Sequence, residues 1–156
     1  MSKYATIKKF NIANGPGIRT AIFFSGCNFH CKECFNPELW DPEYGTLFTY
    51  DTLMEIFDSV DNDHIVGLSI LGGEPLSDFN LETVTFLCKE FKKEFPNKTI
   101  WLWSGFTIEK LNSKQKEILE YIDVLVDGQF EINKRDYNLM YRGSSNQRVL
   151  YKGKDF

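Results

Sequence analysis

Four short apolar runs, rich in β-branched and aromatic residues, punctuate the chain, and each ends in a turn of small residues. TAIFFSG (20–26) runs into a cysteine cluster. HIVGLSILGGEP (64–75) ends in two glycines and a glutamate. KTIWLWSG (98–105) ends in Ser104-Gly105, and YIDVLVDG (121–128) in Asp127-Gly128. Near-continuous apolar runs of this length suit strands buried on both faces of a parallel sheet. Helical patterns alternate with them. Leu53, Ile56, Phe57 and Val60 form one apolar face, with Thr52-Leu-Met-Glu55 as an expected capping box. Leu81, Val84, Cys88, Phe91 and Phe95 form a second, stopped by Pro96-Asn97. SKQKEILEY (113–121) reads as a third, shorter helix. The alternation predicts an α/β fold with a mainly parallel sheet.

That order has a functional corollary. Parallel α/β folds bind ligands beyond the carboxyl ends of their strands. The cysteine loop, Gly-Gly-Glu, Ser-Gly and Asp-Gly are therefore expected to rim one site, although they are far apart in sequence.

The 156 residues suit one domain, expected to span 1–156. No apolar run approaches the roughly 18 residues of a membrane span, and MSKYATIKKF lacks the apolar core of a signal peptide. The expectation is a cytoplasmic protein that engages no membrane, where thiols stay reduced and clustered cysteines point to metal or redox chemistry. Net charge is −4 but uneven, because six Lys/Arg face two Asp from Lys134 onward. The acidic remainder argues against nucleic-acid binding. The basic tail from about 134 is either a solvated terminus or a contact for an acidic partner.

Three of the four cysteines, Cys27, Cys31 and Cys34, fall in SGCNFHCKECFNPELW with Cys-x3-Cys-x2-Cys spacing. Cys31 and Cys34 alone would make a redox pair, but Cys27 is then surplus. Zinc would need a fourth ligand from His30, His64 or Cys88. His30 adjoins Cys31, His64 opens a strand at the far end, and Cys88 sits on an apolar helix stripe. The third candidate is a four-iron, four-sulfur cluster held by three cysteines, with one iron open to another ligand.

The cysteine spacing after one strand, with Gly-Gly-Glu-Pro after a later one, resembles the radical S-adenosylmethionine superfamily. NGPGIRTAIFFSGC, CFNPELW, LGGEP, WLWSGF, DVLVDG and RGSSNQR narrow the resemblance to the activases of anaerobic ribonucleoside-triphosphate reductases, over nearly the whole chain. The resemblance implies a 4Fe-4S cluster on Cys27, Cys31 and Cys34, with S-adenosylmethionine on the fourth iron. It implies one-electron cleavage of that cofactor and a glycyl radical left on the large subunit of the reductase. A flavodoxin-like electron donor and a second copy of the chain are further implied partners. Activation of another glycyl-radical enzyme and a zinc-binding adaptor without catalysis are the competing readings. Gly72 and Gly73 would let backbone approach the cofactor, and their carbonyls or the Glu74 carboxylate would accept from its ammonium.

The chain departs from the family pattern just before the third cysteine, where Glu33 replaces an aromatic residue; Phe35, after Cys34, is the candidate replacement ring. Asn14 stands where Asp is the more familiar residue. Arg19 reads as a surface arginine, with a carboxylate or phosphate near the cluster loop as the alternative; Asp127 reads as a strand end or as a cofactor or partner contact; and Arg142 to Arg148 reads as a surface loop that the resemblance turns into a segment docking the reductase or binding near the cofactor. A full eight-fold barrel needs about 250 residues. The expected form is therefore a partial, open (βα) barrel, radical-SAM-like.

Overall fold

The four apolar runs become the central strands of a seven-stranded sheet in the computed structural model, which describes residues 2–32, 34 and 36–156. In chain order the elements are β1 (Lys3–Asn11), β2 (Ile18–Phe24), β3 (Thr46–Leu47), α1 (Tyr50–Val60), β4 (Ile65–Gly72), α2 (Leu81–Glu94), β5 (Thr99–Ser104), α3 (Ser113–Lys116), β6 (Val124–Asp127) and β7 (Arg148–Tyr151). The sheet order is β3-β1-β2-β4-β5-β6-β7. β2, β4, β5 and β6 run parallel, and β1, β3 and β7 extend the two sides antiparallel. The sheet is open, with β3 and β7 as its edges.

Both faces of the parallel strands are buried, which is why their sequences read as continuous apolar runs. One face carries Ile22, Phe24, Leu68, Ile70, Ile100, Leu102 and Leu125 against α1, α2 and the segment after α3. Cys88 belongs to this core and is fully buried. The opposite face carries Ala21 and Phe23, packed with Leu39 and Leu71, and then Trp101, Val124 and Val126, packed with Trp103, Tyr141 and Val149. Among the described residues that face is packed by loops and the short 3-10 turn that carries Leu39, and not by an α-helix.

Register sets the functional end. Phe24 pairs with Gly72, Ile70 with Leu102, and Ser104 with Asp127, so the parallel strands finish near one another. Their four following turns are brought together.

The local expectations fare unevenly. α1 begins a turn earlier than the proposed capping box, because Tyr50 and Asp51 join its first turn. Thr49 is the N-cap and donates its N–H to Thr52 Oγ1 at 3.0 Å. The third helix is one α-turn that tightens into a 3-10 turn, Glu117–Glu120. The basic tail is not a free terminus: β7 pairs with β6, and residues 129–147 fold across the open face of the sheet.

Arg19 is a correction. It is fully buried rather than a surface residue. Its Nε donates to Ser69 Oγ at 2.8 Å, and its terminal nitrogens donate to Thr99 Oγ1 and to the Leu68 and Thr99 carbonyls at 2.8–3.0 Å. The guanidinium thereby ties β2, β4 and β5 together, 5.9 Å from the Trp101 ring. Burial pulls its pKa down to about 10, partly offset by Asp123 and Tyr141. Ser69 passes the tie on by donating to the Asn14 carbonyl at 2.7 Å, which fixes the NGPGIRT turn.

Candidate functional site

The clustered turns enclose a cavity of about 680 Å³ over the loop-covered face. That volume lies within the usual range for small-molecule sites, about 300–1,000 Å³. Cys27, Cys31 and Cys34 line it from the loop after β2. Gly72, Gly73 and Glu74 line it from the loop after β4, Ser104 and Gly105 from the end of β5, and Gly128 and Gln129 from the turn after β6. Phe23, Leu71 and Trp103 wall it from the sheet, and Asp136, Tyr137, Leu139, Tyr141, Arg142 and Gly143 contribute the far side.

The cysteine loop is held at its base by backbone bonds. Gly26 N–H donates to the Leu39 carbonyl at 2.7 Å, Cys27 N–H to that of Trp40 at 3.2 Å, and Glu74 N–H to the Gly26 carbonyl at 2.6 Å. The PELW part of CFNPELW thus serves the site by clamping the first cysteine through a 3-10 turn, Pro37–Trp40. His30 adopts a left-handed φ of 48° and stacks on Trp40 at 4.5 Å. Phe29 meets Phe106 edge-on at 4.9 Å. Asn36 N–H approaches Cys34 Sγ at 3.4 Å.

The thiols are half-buried. Burial pushes Cys27 and Cys31 up, partly offset by backbone N–H groups at Cys27 and by the Gln129 side chain at Cys31. A bound metal reverses that balance, since a coordinating thiol is deprotonated outright. Among the described residues no three His, Cys, Asp or Glu side chains are drawn into the spacing of a metal site. The proposed fourth ligands lie elsewhere. His30 is stacked on Trp40, His64 precedes β4 at the opposite end of the sheet, and Cys88 is sealed in the core. Three thiols facing one cavity, with room beside them, fit a metal cluster that keeps one position open.

Gly72 and Gly73 line the cavity, but their lack of a side chain answers to the chain itself. A Cβ on Gly72, at φ +145°, would lie 2.2 Å from the Phe24 carbonyl oxygen, and one on Gly73 would lie 2.4 Å from that of Gly26. Glu74 is likewise taken up internally. It is buried, and its carboxylate accepts from Gly105 N–H at 2.7 Å, Ser104 Oγ at 2.8 Å and Leu76 N–H at 2.9 Å. Burial pushes the carboxyl up to about 7 against those three bonds, which pull it down. Glu74 therefore braces the ends of β2, β4 and β5 into one rim. Glu33 and Phe35 lie outside the described residues.

Asp127 is buried and committed. Arg148 donates Nε to Oδ1 at 3.0 Å and a terminal nitrogen to Oδ2 at 2.6 Å; Ile108 N–H adds 2.9 Å. Glu109 takes the outer side of the same guanidinium at 2.8 Å. The last residue of RGSSNQR thus locks β7 to β6. Within that motif Gln147 Oε1 accepts from Gly143 and Ser144 N–H, and Gln147 Nε2 reaches the Gly128 carbonyl. Asp127→Ala orphans the Ile108 N–H and breaks the pair with Arg148. A loss of about 1–3 kcal/mol is expected in denaturant unfolding, moderated because Arg148 is partly solvated. An unchanged midpoint contradicts this assignment.

Trp103, Tyr141 and Arg142 enter the site without having been singled out individually as site residues. Trp103 Nε1–H donates to the Tyr141 carbonyl at 2.6 Å. Alternation alone offers a signal for Trp103, since Trp101 and Trp103 must share one sheet face.

Comparison with known proteins places the chain among related sequences. The family model for a 4Fe-4S single cluster domain matches residues 13–150. A protein of Enterobacteria phage T4 named anaerobic ribonucleoside-triphosphate reductase-activating protein is 40% identical over 146 residues, covering 94% of this chain and 92% of that one. A protein of the same name from Vibrio cholerae is 41% identical over 141 residues, covering 89% and 91%. Another, from Escherichia coli K12, is 38% identical over 141 residues, covering 89% and 92%.

Proposed function

Because the chain belongs to the anaerobic ribonucleoside-triphosphate reductase-activating protein family and carries its 4Fe-4S domain, we propose that it installs a glycyl radical on such a reductase with the help of S-adenosylmethionine. The observation that carries this reading is that Cys27, Cys31 and Cys34 line one cavity together with the Gly72-Gly73 turn. Cys27, Cys31 and Cys34 would hold three irons and leave the fourth to the cofactor. What the bound cluster and cofactor supply is one-electron cleavage of a sulfonium bond and, from it, a carbon radical able to take hydrogen from glycine.

The chain's own residues do the placing. Gly72 and Gly73 offer backbone at the cavity wall for the cofactor's ammonium. Glu74 serves as the brace that fixes their loop against β5, rather than as the acceptor. Phe23, Leu71 and Trp103 keep the wall apolar, which limits water around a reactive radical. Glu33 and Phe35 flank Cys34, and Phe35 is the proposed adenine-side ring. The open sheet is read as part of a radical-SAM-like barrel whose uncovered mouth admits a glycine from another chain, and a small electron carrier of flavodoxin type would deliver the electron. Residues 1–156 act as one unit, with the segment from 134 as a wall of the site.

A zinc-binding adaptor is disfavoured by the positions of His30, His64 and Cys88. The test is anaerobic incubation of the protein with S-adenosylmethionine and a strong one-electron reductant. The expected products, by chromatography, are 5′-deoxyadenosine and methionine in equal amounts, together with about four irons and four sulfides per chain. One tightly held zinc, no sulfide and no cleavage would sink the proposal.

A further inference from the structure

Arg142 is the one lysine, arginine or histidine among the described residues lining the cavity. Its Nε is buried and has no hydrogen-bond partner, and no hydrogen bond or ion pair joins its guanidinium to a described residue. Both neighbours are pinned. Tyr141, at a left-handed φ of 66°, has its carbonyl held by Trp103 at 2.6 Å, and Gly143 N–H is held by Gln147 at 2.8 Å. A bulky residue at positive φ is uncommon and costs energy, so the turn is held in place rather than drifting. The acids that share the cavity are engaged elsewhere. Both oxygens of Glu74 accept from backbone or Ser104, and Asp136 accepts from Asn138 N–H at 2.9 Å. A guanidinium with five donors, partly buried and unpaired among the described residues at a ligand-sized cavity, calls for an anionic acceptor.

We propose that Arg142 is the carboxylate-recognising residue of this cavity and pairs with the methionyl carboxylate of S-adenosylmethionine, an inference that rests on the function proposed above. At neutral pH that cofactor carries an ammonium, a sulfonium and a single anionic group, the carboxylate. Among the described residues that line it, the cavity supplies a single cation. A carboxylate has lone pairs to spare on two oxygens, so service to a metal does not exhaust it. The planar guanidinium fork matches it better than an ammonium does.

The test is anaerobic equilibrium dialysis of the cluster-loaded protein with S-adenosylmethionine and with its decarboxylated analogue, for the native chain, Arg142→Gln and Arg142→Lys. Arg142→Gln is expected to weaken S-adenosylmethionine about 10- to 100-fold, as for loss of a charge-assisted hydrogen bond. It should leave the analogue within about twofold, and Arg142→Lys should fall between native and Gln for the full cofactor. Equal weakening of both ligands, or native affinity in Arg142→Gln, overturns the assignment while leaving the cofactor reading intact. A native protein that binds no S-adenosylmethionine overturns both. Because the decisive change is made on the ligand, a folding defect cannot imitate the expected result.

Discussion

Cys27→Ala, Cys31→Ala and Cys34→Ala are each expected to give a folded protein that holds no intact four-iron cluster and releases no detectable 5′-deoxyadenosine. On the proposed three-cysteine ligation there is none to spare, and removing one would leave two irons without protein ligands. The fold should survive, because these thiols are half-buried at a cavity wall, not packed in the core. Cys88→Ala makes the contrast. Its thiol is fully buried on α2 among core residues. It should keep a full complement of iron and sulfide while losing about 1–3 kcal/mol of stability to the small void. Iron and sulfide analysis with visible absorbance reads both arms. A Cys88→Ala protein without cluster, or a Cys31→Ala protein with four irons, contradicts the three-ligand account.

Glu74→Ala is expected to cost about 3–5 kcal/mol and to lower the melting temperature by roughly 10 °C. The substitution strands three donors at once, the N–H groups of Leu76 and Gly105 and the Ser104 hydroxyl. Those donors belong to the ends of β4 and β5, so the rim should loosen where the cysteine loop rests on it through the Glu74 N–H to Gly26 carbonyl bond. Glu74→Gln should fall between, since one amide oxygen still accepts while its NH₂ faces a backbone N–H. Thermal unfolding of the metal-free chain separates this brace from any direct role with the cofactor. A Glu74→Ala protein within about 1 kcal/mol of native would mean that the carboxylate is not structural.

The parallel strands were legible because burial on both faces leaves an unbroken apolar record in sequence, as in IWLW and VLV of β5 and β6. β1 was not. Its residues Ile7, Lys8 and Lys9 lie in an antiparallel strand only half covered, so no clean period marks it. The role of the basic tail stayed open between a solvated terminus and a partner contact because its pairing comes from residues far away in sequence; Arg148 answers to Asp127 and Glu109. Arg19 failed for the same reason, since nothing local announces that Ser69 and Thr99 will receive it.

At the candidate site, the cysteines and the rim turns follow from strand order, because that order fixes which loops meet. The division of labour among them does not. Gly-Gly-Glu looked like ligand-binding backbone, and the residues it packs against emerge only with the fold: Phe24 and Gly26 against the glycines, Gly105 and Ser104 against the carboxylate. Arg142 sits in a polar segment indistinguishable from a surface loop until Trp103 and Gln147 pin its neighbours over the cavity.

The central claim is that this chain transfers radical character to a glycine of an anaerobic ribonucleoside-triphosphate reductase. Electron paramagnetic resonance of that reductase tests it most directly, after anaerobic incubation with this protein, S-adenosylmethionine and a reductant. The account predicts a glycyl-radical doublet that requires all three components and disappears with Cys31→Ala. No doublet in the complete mixture, from a protein carrying a full cluster and cleaving S-adenosylmethionine, would contradict it.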